Sequence, residues 1–134
     1  MDLNQLYKIA KDNKIIIDRT CPRELVAVSY LFPDKTMLIG LSDLSCAPLG
    51  VTIEQVMAHE LGHCLSGTFY NMHTPRSERQ PYERTADEWA VEFIMPLSKI
   101  AEARARNVRS VKELSQYFRV SREFVRKALA YHGT

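Results

Sequence analysis

Leu3, Leu6, Tyr7 and Ala10 recur at the spacing of one helix face and Asn13 follows as a terminator, so the chain opens on an amphipathic helix. Ile15, Ile16 and Ile17 are consecutive β-branched residues that suit a short strand. Leu25 to Leu31 and Thr36 to Leu41 flank Pro33-Asp34-Lys35, the pattern of a hairpin around a turn. Helical spacing returns with Val56, Met57, Ala58, Leu61 and Leu65; Thr52 and Gln55 form a capping box that starts this helix at Ile53, and Gly67 ends it in a left-handed cap. A further helix begins at Tyr82, turns Ala86, Trp89, Ala90, Phe93 and Ile94 inward, and stops at Pro96. Ser110 and Glu113 box another helix with Val111, Leu114 and Phe118 inward. Ser121 caps the last, with Phe124, Val125, Ala128 and Leu129 inward and Gly133 closing it. The pattern is α+β.

With 134 residues, 46% of them hydrophobic, the chain can build one modest core. Its start, Met1-Asp2-Leu3-Asn4-Gln5, lacks the basic and apolar regions of a signal peptide, and no run approaches membrane-spanning length, so no membrane association is expected. Cys21, Cys46 and Cys64 are odd in number and show no C-x-x-C spacing, which argues against a disulfide framework and for a cytoplasmic home; Cys64 reads as core packing. Charge divides the chain. Residues 97–134 carry nine Lys+Arg and three Glu, a net of +6, whereas residues 1–96 carry nine basic and thirteen acidic residues, a net of −4. We therefore separate a core, 1–96, from a basic helical segment, 97–134, packed on it.

The chemistry concentrates in His59-Glu60-Leu61-Gly62-His63. On a helix the two histidines stand one turn apart on the same face, where both imidazoles reach a single ion, and Glu60 is turned about 100° aside, beside the ion. Two nitrogen ligands, a third ligand and an open position make a catalytic kind of zinc site, with Glu60 as the base. The longer H-x-x-G-x-x-H continuation fails, because Ser66 and Phe69 occupy the Gly and His positions. Glu83 and Asp87, four residues apart on the following helix, suit a third ligand and a carboxylate that accepts the free N–H of a ligand histidine. The same acidic pair would also suit a solvated helix face near a positive dipole end, and His73 is the competing ligand.

His59-Glu60-Leu61-Gly62-His63, then Glu83-x-x-Ala86-Asp87-x-Trp89-Ala90, then Phe93-Ile94-Met95-Pro96, resembles the ImmA/IrrE family of zinc metallopeptidases, with Trp89 where that family usually has Phe. The resemblance covers nearly the whole chain. It implies a small gluzincin-like core: an N-terminal helix, a short antiparallel sheet, two metal-bearing helices and a C-terminal helical segment. It also implies one Zn²⁺ per chain and a protein substrate, a helix-turn-helix repressor of a prophage or mobile element. In such folds a strand like Thr36–Leu41 lies along the cleft and pairs with the substrate peptide.

Leu114 to Val125 also reads as helix-turn-helix-like, with Arg119 where the turn often has Gly and Arg122, Arg126 and Lys127 available to phosphates. A segment docked on the core is the preferred reading. The alternative is a DNA-binding regulator with a zinc-stabilised core and no proteolysis; the free carboxylate of Glu60 speaks for the peptidase. A donor to the tetrahedral oxyanion is expected from Tyr70, His73 or Tyr82.

Overall fold

The computed structural model describes residues 3–20, 27–42, 52–71 and 73–134. Among these, six helices accompany a three-stranded sheet: α1 (Leu3–Asp12), β1 (Ile15–Asp18), β2 (Ala27–Leu31), β3 (Met37–Leu41), α2 (Ile53–Ser66), α3 (Arg76–Ile94), α4 (Leu97–Ala105), α5 (Val111–Phe118) and α6 (Arg122–His132). The expected start of the hairpin strand at Leu25 lies outside the described residues, as do Cys21 and Cys46.

The sheet is mixed, where a wholly antiparallel one was expected. Its order is β1-β3-β2, with β1 parallel and β2 antiparallel to β3. The reason lies in side-chain character. Ile39 and Leu41 of β3 are fully buried and Gly40 is buried beside them, the near-continuous burial of a central strand. Tyr30 and Leu31 of β2 remain about half exposed, which suits an edge. This also moves the free edge beside the helices from Thr36–Leu41 to β2, since β3 is paired on both sides.

Helix α2 starts at Thr52, whose hydroxyl accepts the Gln55 N–H at 3.2 Å, and ends at Gly67 in the left-handed region, φ 71°. The box is only half closed. The Gln55 side chain turns away to the C-terminal segment, its Oε1 accepting the Ser121 N–H at 2.8 Å. Helix α3 begins at Arg76, well before the Tyr82 that the sequence suggested, and carries Pro81 inside it. Proline is favoured at a helix start, so it reads as one; here the first turn forms ahead of it, with the Glu78 and Arg79 N–H groups bonded to the Pro75 carbonyl. Glu83 and Asp87 therefore lie well inside α3, away from the dipole end where the solvated-face reading would place them.

One apolar cluster joins both parts of the chain. Leu6, Leu41, Met57, Leu61 and Met95 belong to it together with Ile100, Leu114 and Val125 of the basic segment. The Ser110–Glu113 box forms as expected, and Arg119 takes the left-handed conformation at the end of α5, φ 59°. Its carbonyl accepts the Thr52 hydroxyl at 2.8 Å, so the α5–α6 turn is fastened to the start of α2. No helix among the described residues is long and apolar enough to cross a membrane.

Candidate metal centre

Helices α2 and α3 pack against each other more closely than side chains would ordinarily allow, because Gly62 faces the Ala86 backbone. That contact brings Glu83 across to the His59–His63 face. His59 Nε2 lies 2.8 Å from Glu83 Oε2, His63 Nε2 lies 3.1 Å from Glu83 Oε1, and the two Nε2 atoms are 3.1 Å apart. A tetrahedral set at about 2.0–2.1 Å from zinc has its donor atoms about 3.3 Å apart. The three side chains are thus close to the spacing that one small cation requires.

The second ring nitrogens settle the tautomers. His63 Nδ1 lies 2.7 Å from the Thr68 carbonyl oxygen, which can only accept, so Nδ1 carries the hydrogen and Nε2 presents its lone pair. His59 Nδ1 lies 2.8 Å from Asp87 Oδ1. Burial would raise the Asp87 pKa, but the hydrogen bond and charge of His59 and the Lys127 ammonium hold it below its usual value, so Asp87 is also an acceptor. Two lone pairs and a carboxylate then converge on one point, an arrangement that calls for a cation. With no ion bound, a proton fills that need: burial alone would lower the His59 pKa, yet hydrogen bonds to Asp87 and Glu83 and the charges of Glu60 and Asp87 push it up to about 10. Burial would raise the Glu83 pKa, but its contacts with His59, His63 and Tyr70 and the charge of His59 hold the carboxyl far below its usual value.

Glu60 is buried beside the triad and does not share its contacts. Its Oε2 accepts the hydroxyl of Ser29 from β2, while Oε1 takes no hydrogen bond among the described residues. Together with His63, Tyr70 and Glu83 it lines a cavity of about 110 Å³ against Val28 and Ser29 of β2. The Tyr70 hydroxyl donates to Glu83 Oε1, and its ring meets His63 edge-on with centroids 5.9 Å apart. Burial, then the bond to Glu83 and the nearby carboxylates, push its pKa up to about 12, so the phenol keeps its proton at neutral pH.

Of the residues singled out from the sequence, the structure assembles His59, His63, Glu83, Glu60, Asp87 and Tyr70 in one place. His73 is exposed, with its backbone N–H bonded to Asn71 Oδ1, and neither it nor Tyr82 contacts the triad among the described residues. Lys127, read as a phosphate contact, is instead bonded to Asp87 Oδ2 at 3.1 Å. Two supporting residues, Thr68 and Ser29, went unnoticed in the sequence, and the contact that Lys127 makes with Asp87 was not foreseen. Thr68 had a signal in the Gly67 cap, which folds the chain back so that the Thr68 N–H bonds to the His63 carbonyl at 3.0 Å. Ser29 is a polar residue on the inward face of a strand, a pattern worth testing for a partner. Lys127 had no local signal.

Cys64 is buried and free, and burial pushes its thiol up to about 12, in keeping with a packing role. No curated protein and no solved structure matches the chain. A family model, that of the IrrE N-terminal-like domain (Peptidase_M78), matches residues 53–130, from the start of α2 to the end of α6. With that match spanning more than half of the chain, and with His59, His63 and Glu83 grouped as a metal site requires, the chain belongs to the IrrE N-terminal-like family of metallopeptidases.

Proposed function

We propose that the chain is a zinc-dependent endopeptidase that cleaves one specific protein, a helix-turn-helix repressor being the substrate class that the family resemblance implies. The observation that carries the peptidase reading is the convergence of His59 Nε2, His63 Nε2 and Glu83 with a separate buried carboxylate, Glu60, at the same cavity. A purely structural zinc has no use for that carboxylate.

His59, His63 and Glu83 would hold Zn²⁺, which supplies Lewis acidity for activating water near neutral pH and polarising a carbonyl. The protein's own groups do the rest. Ser29 fixes one oxygen of Glu60, leaving Oε1 to take a proton from the attacking water and return it to the leaving amine. Asp87 and Thr68 orient the two imidazoles, so the ligand nitrogens need no rearrangement. Tyr70 stays a donor at neutral pH and stands at the cavity wall, where a developing oxyanion would need one. The outer edge of β2 offers main-chain groups to an extended substrate.

Co-expression with candidate helix-turn-helix repressors is the test, read as loss of full-length repressor on a gel. Glu60→Gln preserves shape and zinc but removes the base, so cleavage should fall by about two orders of magnitude or more. Undiminished cleavage by Glu60→Gln would sink the mechanism.

A further inference from the structure

The cavity at the triad opens along the β2 edge into a second cleft of about 730 Å³, and the two share Val28, Ser29, Phe69 and Tyr70. Its walls are mostly apolar: Leu31 of β2, about half exposed, lines it together with Phe69 and Tyr70, and the half-exposed Tyr30 borders it from the next strand position. Among the described residues, Arg79 of α3 is the only charged side chain lining it. The guanidinium lies over the Tyr70 ring, 5.9 Å from its centroid, and its Nε is buried with no hydrogen-bond partner. Among the described residues no carboxylate pairs with it. A buried guanidinium nitrogen left unbonded is costly, and most such groups in folded proteins are satisfied. Its natural complement is a carboxylate, which accepts from the guanidinium fork with strong geometric preference.

The other side of the triad differs. There the cleft continues past Ala27 to Gln55, Val56, Asp87 and Phe124, a smaller space of about 190 Å³ that also touches His59 and Glu60 and, among the described residues, has no Lys or Arg lining it. The two flanks of the reacting bond therefore present unlike charge. Antiparallel addition is the more stable strand pairing, and it runs a peptide on the β2 edge from Leu31 toward Ala27. Residues N-terminal to the scissile bond then meet the Arg79 cleft, and residues C-terminal to it meet the Phe124 end.

Building on the peptidase reading, we propose that Arg79 is a specificity-determining residue: it selects substrates with an Asp or Glu within about three residues N-terminal of the cut, beside an apolar residue held by Leu31, which shares the Ser29 face of β2. The carboxylate replaces water around the guanidinium while the apolar neighbour covers the exposed strand face. Because Arg79 is only partly buried, the discrimination is set at about threefold to tenfold in kcat/KM for the acid over its amide.

Zinc-loaded protein is given a mixed peptide library and the cut bonds are mapped by mass spectrometry, followed by matched Glu and Gln peptides. Asp and Glu should be enriched on the N-terminal side only. Arg79→Glu should exchange that enrichment for Lys and Arg, and Arg79→Lys should keep it. Each readout is a ratio within one preparation, so partial misfolding cancels, and the parent's Glu-to-Gln ratio decides even if Arg79→Glu fails to fold. Anisotropy of the same labelled peptides on Glu60→Gln should show the same order without turnover. Cleavage indifferent to the acid, enrichment on the C-terminal side, or an unchanged preference in Arg79→Glu overturns this inference and leaves the peptidase reading standing. Absence of any cut by the zinc-loaded parent, in the library and in the repressors alike, sinks both.

Discussion

Gly62 sits between two metal-bearing positions of α2, and replacing it with alanine tests whether helix proximity builds the site. An ideal Cβ there would lie 2.7 Å from the Ala86 carbonyl oxygen and 2.9 Å from its Cα. Both obstacles are backbone, so no rotamer change relieves them. The closer contact falls about 0.7 Å short of the 3.4 Å at which ordinary contact begins. Helices α2 and α3 must separate or slide by a distance of that order, and Ala86 is one turn from Glu83. Metal sites tolerate about 0.2 Å in ligand distance, so the triad should be visibly loosened. Two opposing effects act on stability. Alanine is the better helix former by about 1 kcal/mol, whereas overpacking against a fixed backbone costs about 1–3 kcal/mol. With backbone as the obstacle the upper end applies, leaving a net loss of about 2 kcal/mol, or a fall in Tm of about 5–10 °C for a chain of this size. Zinc affinity, measured by chelator competition, should fall about tenfold or more. Thermal unfolding in excess EDTA reads the stability effect without the metal. A variant that binds zinc as tightly as the parent and melts higher would show that helix propensity outweighs the contact, and the reasoning would fail.

Removing a ligand should remove the metal: His59→Ala, His63→Ala and Glu83→Ala should each carry well under one zinc per chain by elemental analysis after reconstitution, and full occupancy in Glu83→Ala would take Glu83 out of the site. Zinc binding should tighten as pH rises from 6 to 9, because the ion must displace the proton that His59 holds up to about pH 10, and proton release should appear as buffer-dependent heat in calorimetry. The zinc-free fold should show the opposite trend at the same residue: its folded-state pKa lies above the unfolded 6.5, so the stabilisation is complete below that pH and is lost as pH climbs toward about 10. A His59→Gln variant that keeps the full pH dependence of the zinc-free melting curve would contradict this. For the exposed basic face of α6, charge reversal at Arg122 and Arg126 should leave DNA binding unchanged, because the parent should show no specific shift at moderate salt; a nanomolar, salt-dependent operator complex would promote the regulator alternative.

What the sequence exposed is what a single helix or a single turn determines. His59 and His63 could be placed on one face from their spacing alone, and Ser110, Ser121, Gly67 and Gly133 marked helix ends that the structure reproduces. The grouping of Glu83 with His59 and His63 could be anticipated because Glu83 and Asp87 repeat at i and i+4 on the next helix. The true start of that helix was hidden, since Pro81 is favourable at a start and its tolerance in an early turn depends on the turn already formed ahead of it.

The parts that stayed hidden depend on segments distant in the chain. Strand order is one of them: alternation in β1, β2 and β3 says which faces are buried, but not that β3 enters between two earlier strands. The path from Lys127 through Asp87 to His59 is another, joining residues forty apart and then twenty-eight apart through two hydrogen bonds. On the sequence Lys127 is one cation in a basic segment, and its charge suggested phosphates. Only the docking of α6, fastened by Thr52 and Gln55 to the α5–α6 turn, brings it to the carboxylate that bonds His59. That docking also explains Arg119 in the left-handed region. The residue is ill suited to φ 59° by intrinsic preference, and the conformation is held from outside the turn, by the Thr52 hydroxyl on the Arg119 carbonyl and the Gln55 amide on Ser121. The basic segment is thus tied, at the α5–α6 turn and at Lys127, to the helices that carry His59, His63 and Glu83, which gives a physical reason for the family match to run unbroken from α2 into α6.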